Sequence, residues 1–108
     1  KISEELRYRQ AEQKCFRMLC DYLHLLEHWK IKYAPQLPEE NPDDRFVEAC
    51  HMIEYVNDLL DVLMFAELKQ RVKAVDMLLK DGTITALEQR LKCLEKEVRH
   101  RGEERAIA

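Results

Sequence analysis

The segment 24–28, HLLEH, has the spacing of a zinc-binding helix. In an H-x-x-E-H motif two histidines one helical turn apart bind the metal, and the glutamate beside them serves as the catalytic base of a metalloprotease. The neighbouring apolar residues Tyr22 and Trp29 define a different, core-facing side of the same helix. Because His24 and Glu27 then lie on the outer side, we interpret the match as accidental.

Two further pairs, Glu48 with His51 and Glu97 with His100, have the E-x-x-H spacing. Four-helix di-iron proteins use this spacing twice, together with glutamates from two other helices. Such a centre needs carboxylates that point into the bundle. The apolar periodicity instead places Glu48 and His51 towards solvent, and Glu97 at the edge of the apolar face of its helix. We therefore predict no metal site and no cofactor.

Aromatic rings alternate with positive charge at Trp29, Lys30, Lys32 and Tyr33. Rings that stack on bases, combined with cations that contact phosphates, bind single-stranded nucleic acid. The alternative is structural, since the two rings continue an apolar stripe and the two lysines complement the negative end of a helix dipole. We keep the four residues as candidate contacts for nucleic acid or for a partner protein. The net charge of −3 predicts only weak or indirect nucleic-acid contact.

An active site is not evident in the rest of the sequence. No nucleophile with an identifiable base occurs, and there is no glycine-rich phosphate loop, since the chain has only Gly82 and Gly102. The four cysteines form no C-x-x-C pair, which indicates reduced thiols. Neither a long apolar run nor a signal pattern is present. These features predict a cytoplasmic protein without catalytic residues. The start at Lys1, with no initiator methionine, suggests a piece of a longer chain.

Apolar residues at helical spacing predict an all-α helical bundle of three to four helices with a long N-terminal helix. In a single domain spanning 1–108, the predicted helices are about 3–34, 42–65, 68–80 and 85–100, followed by a frayed tail at 101–108. Pro35 ends the first helix and Asn41 caps the second. Gly82 closes the third helix, and Thr85 with Glu88 forms a capping box for the fourth.

The same periodicity predicts which side chains are buried and which are left over. The buried face of the second helix is predicted to comprise Phe46, Ala49, Cys50, Ile53, Val56, Leu59, Leu60, Leu63 and Met64. The first helix is longer than its neighbours, which leaves part of its stripe uncovered at Tyr8, Ala11 and Cys15. This surplus predicts a homodimer, or another protein partner, bound through these three residues.

The segment 15–35, CFRMLCDYLHLLEHWKIKYAP, with the later EYVNDLLDVL, resembles the helical region that follows the CHC2-type zinc finger in small primase-like proteins of bacterial plasmids and integrative elements. The likeness extends over about residues 10–97 and is poorest over 64–80. It implies an upstream finger that engages DNA, whose cysteine and histidine ligands are outside this chain. It assigns no site residue to the helical region.

Two functional hypotheses remain open at this point. The first, implied by the resemblance, is a non-catalytic helical domain of a primase-like mobile-element replication protein, which acts in assembly or positioning. The second is a stand-alone α-helical adaptor or regulatory protein that binds a partner protein through apolar helix surface. A zinc finger encoded immediately upstream favours the first, and a start codon near Lys1 favours the second.

Overall fold

Four helices make up the chain in a computed structural model that describes the backbone over 2–37 and 41–107 and the side chains over 3–37 and 41–96. They are α1 (Ile2–Lys32), α2 (Asp44–Phe65), α3 (Leu68–Leu79) and α4 (Thr83–Ile107). The described backbone contains no strand. The prediction of an all-α bundle with a long N-terminal helix is confirmed.

Helix α1 sets the length of the molecule. Its 31 residues span roughly 46 Å, most of the 61 Å long axis. Acidic residues in its first turn and Lys30 and Lys32 in its last turn complement the helix dipole. The helix ends at Lys32, and Pro35, three residues further on, disfavours helical backbone at the residue before it.

Helix α2 begins at Asp44 and is capped by Asp43, not by Asn41 as the sequence predicted. The Asp43 backbone is extended, at φ −62° and ψ 140°, and its carboxylate accepts a hydrogen bond from the Arg45 amide at 2.9 Å. The helix therefore starts two residues after the predicted position.

The turn between α3 and α4 contains Gly82 at φ 81°, the left-handed conformation that was predicted for it. Helix α4 begins at Thr83, and the Ala86 amide bonds to the Gly82 carbonyl at 2.9 Å. The predicted capping box at Thr85 is therefore wrong, because this residue lies inside the helix. The sequence predicted a frayed tail over 101–108, but the backbone stays helical to Ile107. The arginine, glutamate and alanine residues of this segment are good helix formers, which favours the continued helix.

All four helices contribute side chains to one core; α1 and α2 pack most extensively, α3 packs on both of them, and α4 follows α3. Most of the predicted face of α2 is buried, but Met64 is 55% exposed while Met52 is fully buried. Met52 follows Ala49 by three positions and precedes Val56 by four, which places it on the core stripe. Met64 follows Leu63 by one position and so points about 100° away from it. No helix in the described ranges is both long enough and apolar enough to cross a membrane.

Candidate functional site

The histidine motifs lie on the outside of the bundle. His24, Glu27 and His28 are exposed along α1, and His51 is exposed on α2. Glu48 is engaged with Arg90 of α4, which joins α2 to α4 across the surface. Among the side chains described, no three histidine, cysteine or acidic groups come together as a metal site. Glu97 and His100 lie outside the described side chains.

The structure divides the aromatic and basic cluster into two parts. Trp29 is only 6% exposed and belongs to the core, whereas Lys30 and Lys32 are exposed. Tyr33 is half-buried, and the Arg45 guanidinium lies 4.0 Å from its ring centroid. The Lys32 ammonium lies 5.8 Å from the same ring. Trp29 is thus poorly placed to stack on a base, and the Arg45 guanidinium already covers one face of the Tyr33 ring.

Arg45 is the buried charge that the sequence interpretation missed. Its side chain is 3% exposed, and its Nε donates to Asp43 Oδ1 at 3.0 Å while Nη2 contacts Oδ2. The guanidinium is therefore held bidentately by the α2 cap and stacked on Tyr33, a combination that satisfies a buried cation. The available signal was the sequence Asp43-Asp44-Arg45, where an acidic cap precedes an arginine by two residues.

A second polar contact joins the first and last helices. The Tyr22 hydroxyl donates to Glu88 Oε1 at 2.7 Å. Burial, followed by the hydrogen bond and the charge of Glu88, raises the pKa of Tyr22 above its usual value near 10. Glu88, predicted as part of a capping box, instead anchors α4 to α1.

The Tyr22 contact predicts a loss of stability at alkaline pH. Because the folded state raises the Tyr22 pKa, the stabilisation is present below pH 10 and falls as the pH rises through the raised value. Tyr22→Phe should lower the free energy of unfolding by about 1 kcal/mol at neutral pH and make its decline above pH 10 shallower. Urea unfolding followed by circular dichroism at several pH values measures both effects. Tyr55→Phe, at an exposed tyrosine, is the control, and parallel pH profiles for Tyr22→Phe and the parent chain would refute the assignment.

The three residues predicted as a dimer contact differ in how far they are covered within the chain. Cys15 is fully buried, and Tyr8 and Ala11 are partly buried against the core. Helix α3 packs on α1, where Arg71 Nη1 donates to Glu12 Oε1 at 3.1 Å. Cys15 is therefore closed to a partner, whereas Tyr8 and Ala11 remain partly exposed beside α3, and Tyr8 lines a groove between α1 and α3.

Burial also changes the chemistry of these side chains. Burial and the nearby Glu12 carboxylate raise the pKa of Tyr8. Burial raises the pKa of the Cys15 thiol, which disfavours the nucleophilic thiolate. Neither residue therefore has the properties of an activated catalytic group.

Unpaired apolar surface is concentrated instead where α2 meets α3. Met64, Phe65, Leu68 and Val72, here called the α2–α3 patch, are 55%, 77%, 57% and 37% exposed. Phe65 is the last residue of α2, and Leu68 is the first of α3. Large apolar side chains left this open within nine consecutive residues are typical of a surface that binds a partner.

Two grooves adjoin the α2–α3 patch. One encloses about 520 Å³ between the start of α1 and α3, and Leu68 and Val72 line it. The other encloses about 700 Å³ beside α1, and Phe16 and Met64 line it. Arg9 and Glu12 border both grooves, so the two are contiguous across α1. Together they form a mixed apolar and charged surface suited to binding a helix or a second folded chain.

Comparison of the chain with protein-family models, with curated proteins and with solved structures gives no significant match. The resemblance to primase-like proteins remains a prediction from the residues quoted above.

Proposed function

We propose that this chain is a non-catalytic helical assembly domain that binds another protein chain through the α2–α3 patch. The supporting observation is the 77% exposure of Phe65, with Met64 and Leu68, one and three positions away in the chain, each more than half exposed. Apolar side chains in this arrangement gain free energy when a partner removes them from water, roughly 25 cal/mol for each Å² buried. The α2–α3 patch gives the chain a means of assembly that needs no catalytic group.

The resemblance to primase-like replication proteins suggests a setting for this assembly role. In that setting the domain positions an upstream DNA-binding finger relative to the rest of a replication complex. A stand-alone adaptor would use the same apolar surface, so the choice between the two hypotheses concerns context and not the binding surface. The full reading frame, with or without a finger, distinguishes them.

Site-specific photocrosslinking in the native host tests the proposed surface. A photoreactive phenylalanine analogue at Phe65 should form a specific covalent adduct with a protein chain. The matched control is the same analogue at Ile31, which is 79% exposed on α1 and lies away from the patch. Equal crosslinking at the two positions would contradict the proposal.

Purified components then test the affinity. The protein identified by the crosslink, including a further copy of this chain, should bind at least tenfold more weakly to Leu68→Glu, because a carboxylate would be buried in an apolar contact. Ile31→Glu should leave the dissociation constant unchanged. Equal affinity for both variants would show that the patch is not the binding surface.

A further inference from the structure

We infer that the occupant of the α2–α3 patch is a second copy of this chain, related to the first by a two-fold axis. This inference rests on the proposed function and adds the identity of the partner. A two-fold interface brings the same surface of both copies together, so that surface must be complementary to itself. The charges around the patch meet that requirement.

The apolar part of the surface is a row of two α3 side chains that borders a groove between α3 and the start of α1. Leu68 and Val72 are spaced by one helical turn and line the groove of about 520 Å³ from the α3 side. Glu4 and Glu5, from the first turn of α1, line the same groove from the opposite side. This edge of the surface therefore begins with two adjacent carboxylates, and Arg9 lines the same groove one turn further along α1.

The other edge is basic. Lys69 and Lys73 each follow a patch residue by one position, which places them about 100° further around α3. Arg71 precedes Val72 by one position and contacts Glu12 of α1, so α1 lies on the opposite flank of the Leu68 and Val72 row. The two lysines are exposed and lie on the flank away from α1.

The four charges are available to a partner. Within the described side chains, neither the two glutamates nor the two lysines form an ion pair. Let the two-fold axis lie in the interface and run along the row formed by Leu68 and Val72. Rotation about this axis places Glu4 and Glu5 of one copy opposite Lys69 and Lys73 of the other. Both pairs of edges then match, while Leu68 and Val72 pack at the centre.

Other occupants fit this charge pattern less well. An anionic membrane would attract the two lysines but repel Glu4 and Glu5. A uniformly acidic or basic peptide would match one edge and be repelled by the other. A second copy presents both signs in the required order.

Charge reversal tests the symmetry of the contact. Sedimentation velocity of the parent chain at up to millimolar concentration and low salt should show a species of twice 12.9 kDa. Glu4→Lys with Glu5→Lys, or Lys69→Glu with Lys73→Glu, should each weaken the dimer at least tenfold, because like charges then meet at both edges. All four substitutions in one chain should restore the dimer, and the net charge stays at −3.

Controls separate this inference from the proposed function. Lys92→Glu with Lys96→Glu makes the same charge change on exposed residues of α4 and should leave the dimer unchanged. A parent chain that stays monomeric overturns the second-copy inference, and so does a four-residue exchange that fails to restore the dimer. If Phe65 crosslinks to a different protein while the chain stays monomeric, the surface is correct and the second-copy inference is wrong. If Phe65 crosslinks no better than Ile31, the proposed function itself fails.

Discussion

Asp43→Ala is expected to lower the free energy of unfolding by about 3–5 kcal/mol, because it removes the carboxylate that binds Nε and Nη2 of the 3% exposed Arg45. The same change removes the side-chain acceptor at the start of α2, a loss of about 1 kcal/mol by itself. For a domain of this size such a loss is a large part of the total stability. Chemical denaturation followed by circular dichroism measures it.

Two companion variants separate the charge from the cap. Asp43→Asn keeps a capping oxygen but loses the negative charge, so it should cost less than Asp43→Ala by about 1 kcal/mol. Arg45→Met removes the buried cation and keeps much of its volume, leaving an aspartate that is 25% exposed and able to contact water. It should therefore cost less than Asp43→Ala. If Arg45→Met lowered the free energy of unfolding more than Asp43→Ala, the aspartate, and not the buried arginine, would be the residue that is destabilising when its partner is removed.

Trp29→Ala is expected to destabilise the protein by about 3–5 kcal/mol, because it removes a large side chain that is only 6% exposed in the core. Circular dichroism is the appropriate probe, since Trp29 is the chain's single tryptophan. Ile31→Ala, at a residue that is 79% exposed on the same helix, should change stability by less than about 0.5 kcal/mol.

Trp29→Ala, together with a lysine variant, distinguishes a core tryptophan from a nucleic-acid contact. Lys30→Ala with Lys32→Ala should leave stability almost unchanged, because both side chains are exposed. A Trp29→Ala protein that unfolds at the parent's denaturant concentration but loses affinity for a single-stranded oligonucleotide would contradict the core assignment. In that case the original stacking hypothesis would be preferred.

The helical architecture could be predicted from local chemistry. Apolar residues three and four positions apart, few helix breakers, and prolines confined to one loop specify helices whatever their neighbours are. The left-handed Gly82 followed from the same reasoning, because glycine tolerates that conformation without a side-chain clash. Cap positions were less predictable, since Asn41 and Asp43 are both good caps by residue type and only the contact with Arg45 distinguishes them.

The candidate binding surface could not be predicted in the same way. The sequence shows that Tyr8, Ala11 and Cys15 are apolar, but only tertiary packing decides that Cys15 is buried while Tyr8 and Ala11 are partly covered. Met64 and Leu68 look like core residues by type, and the chain turn between α2 and α3 leaves both more than half exposed. The sequence alone thus determined the helices and most of their buried faces, because these depend on residues within a few turns of one another. The tertiary structure decided which apolar residues stay exposed and which charges are buried, because both depend on how distant helices pack.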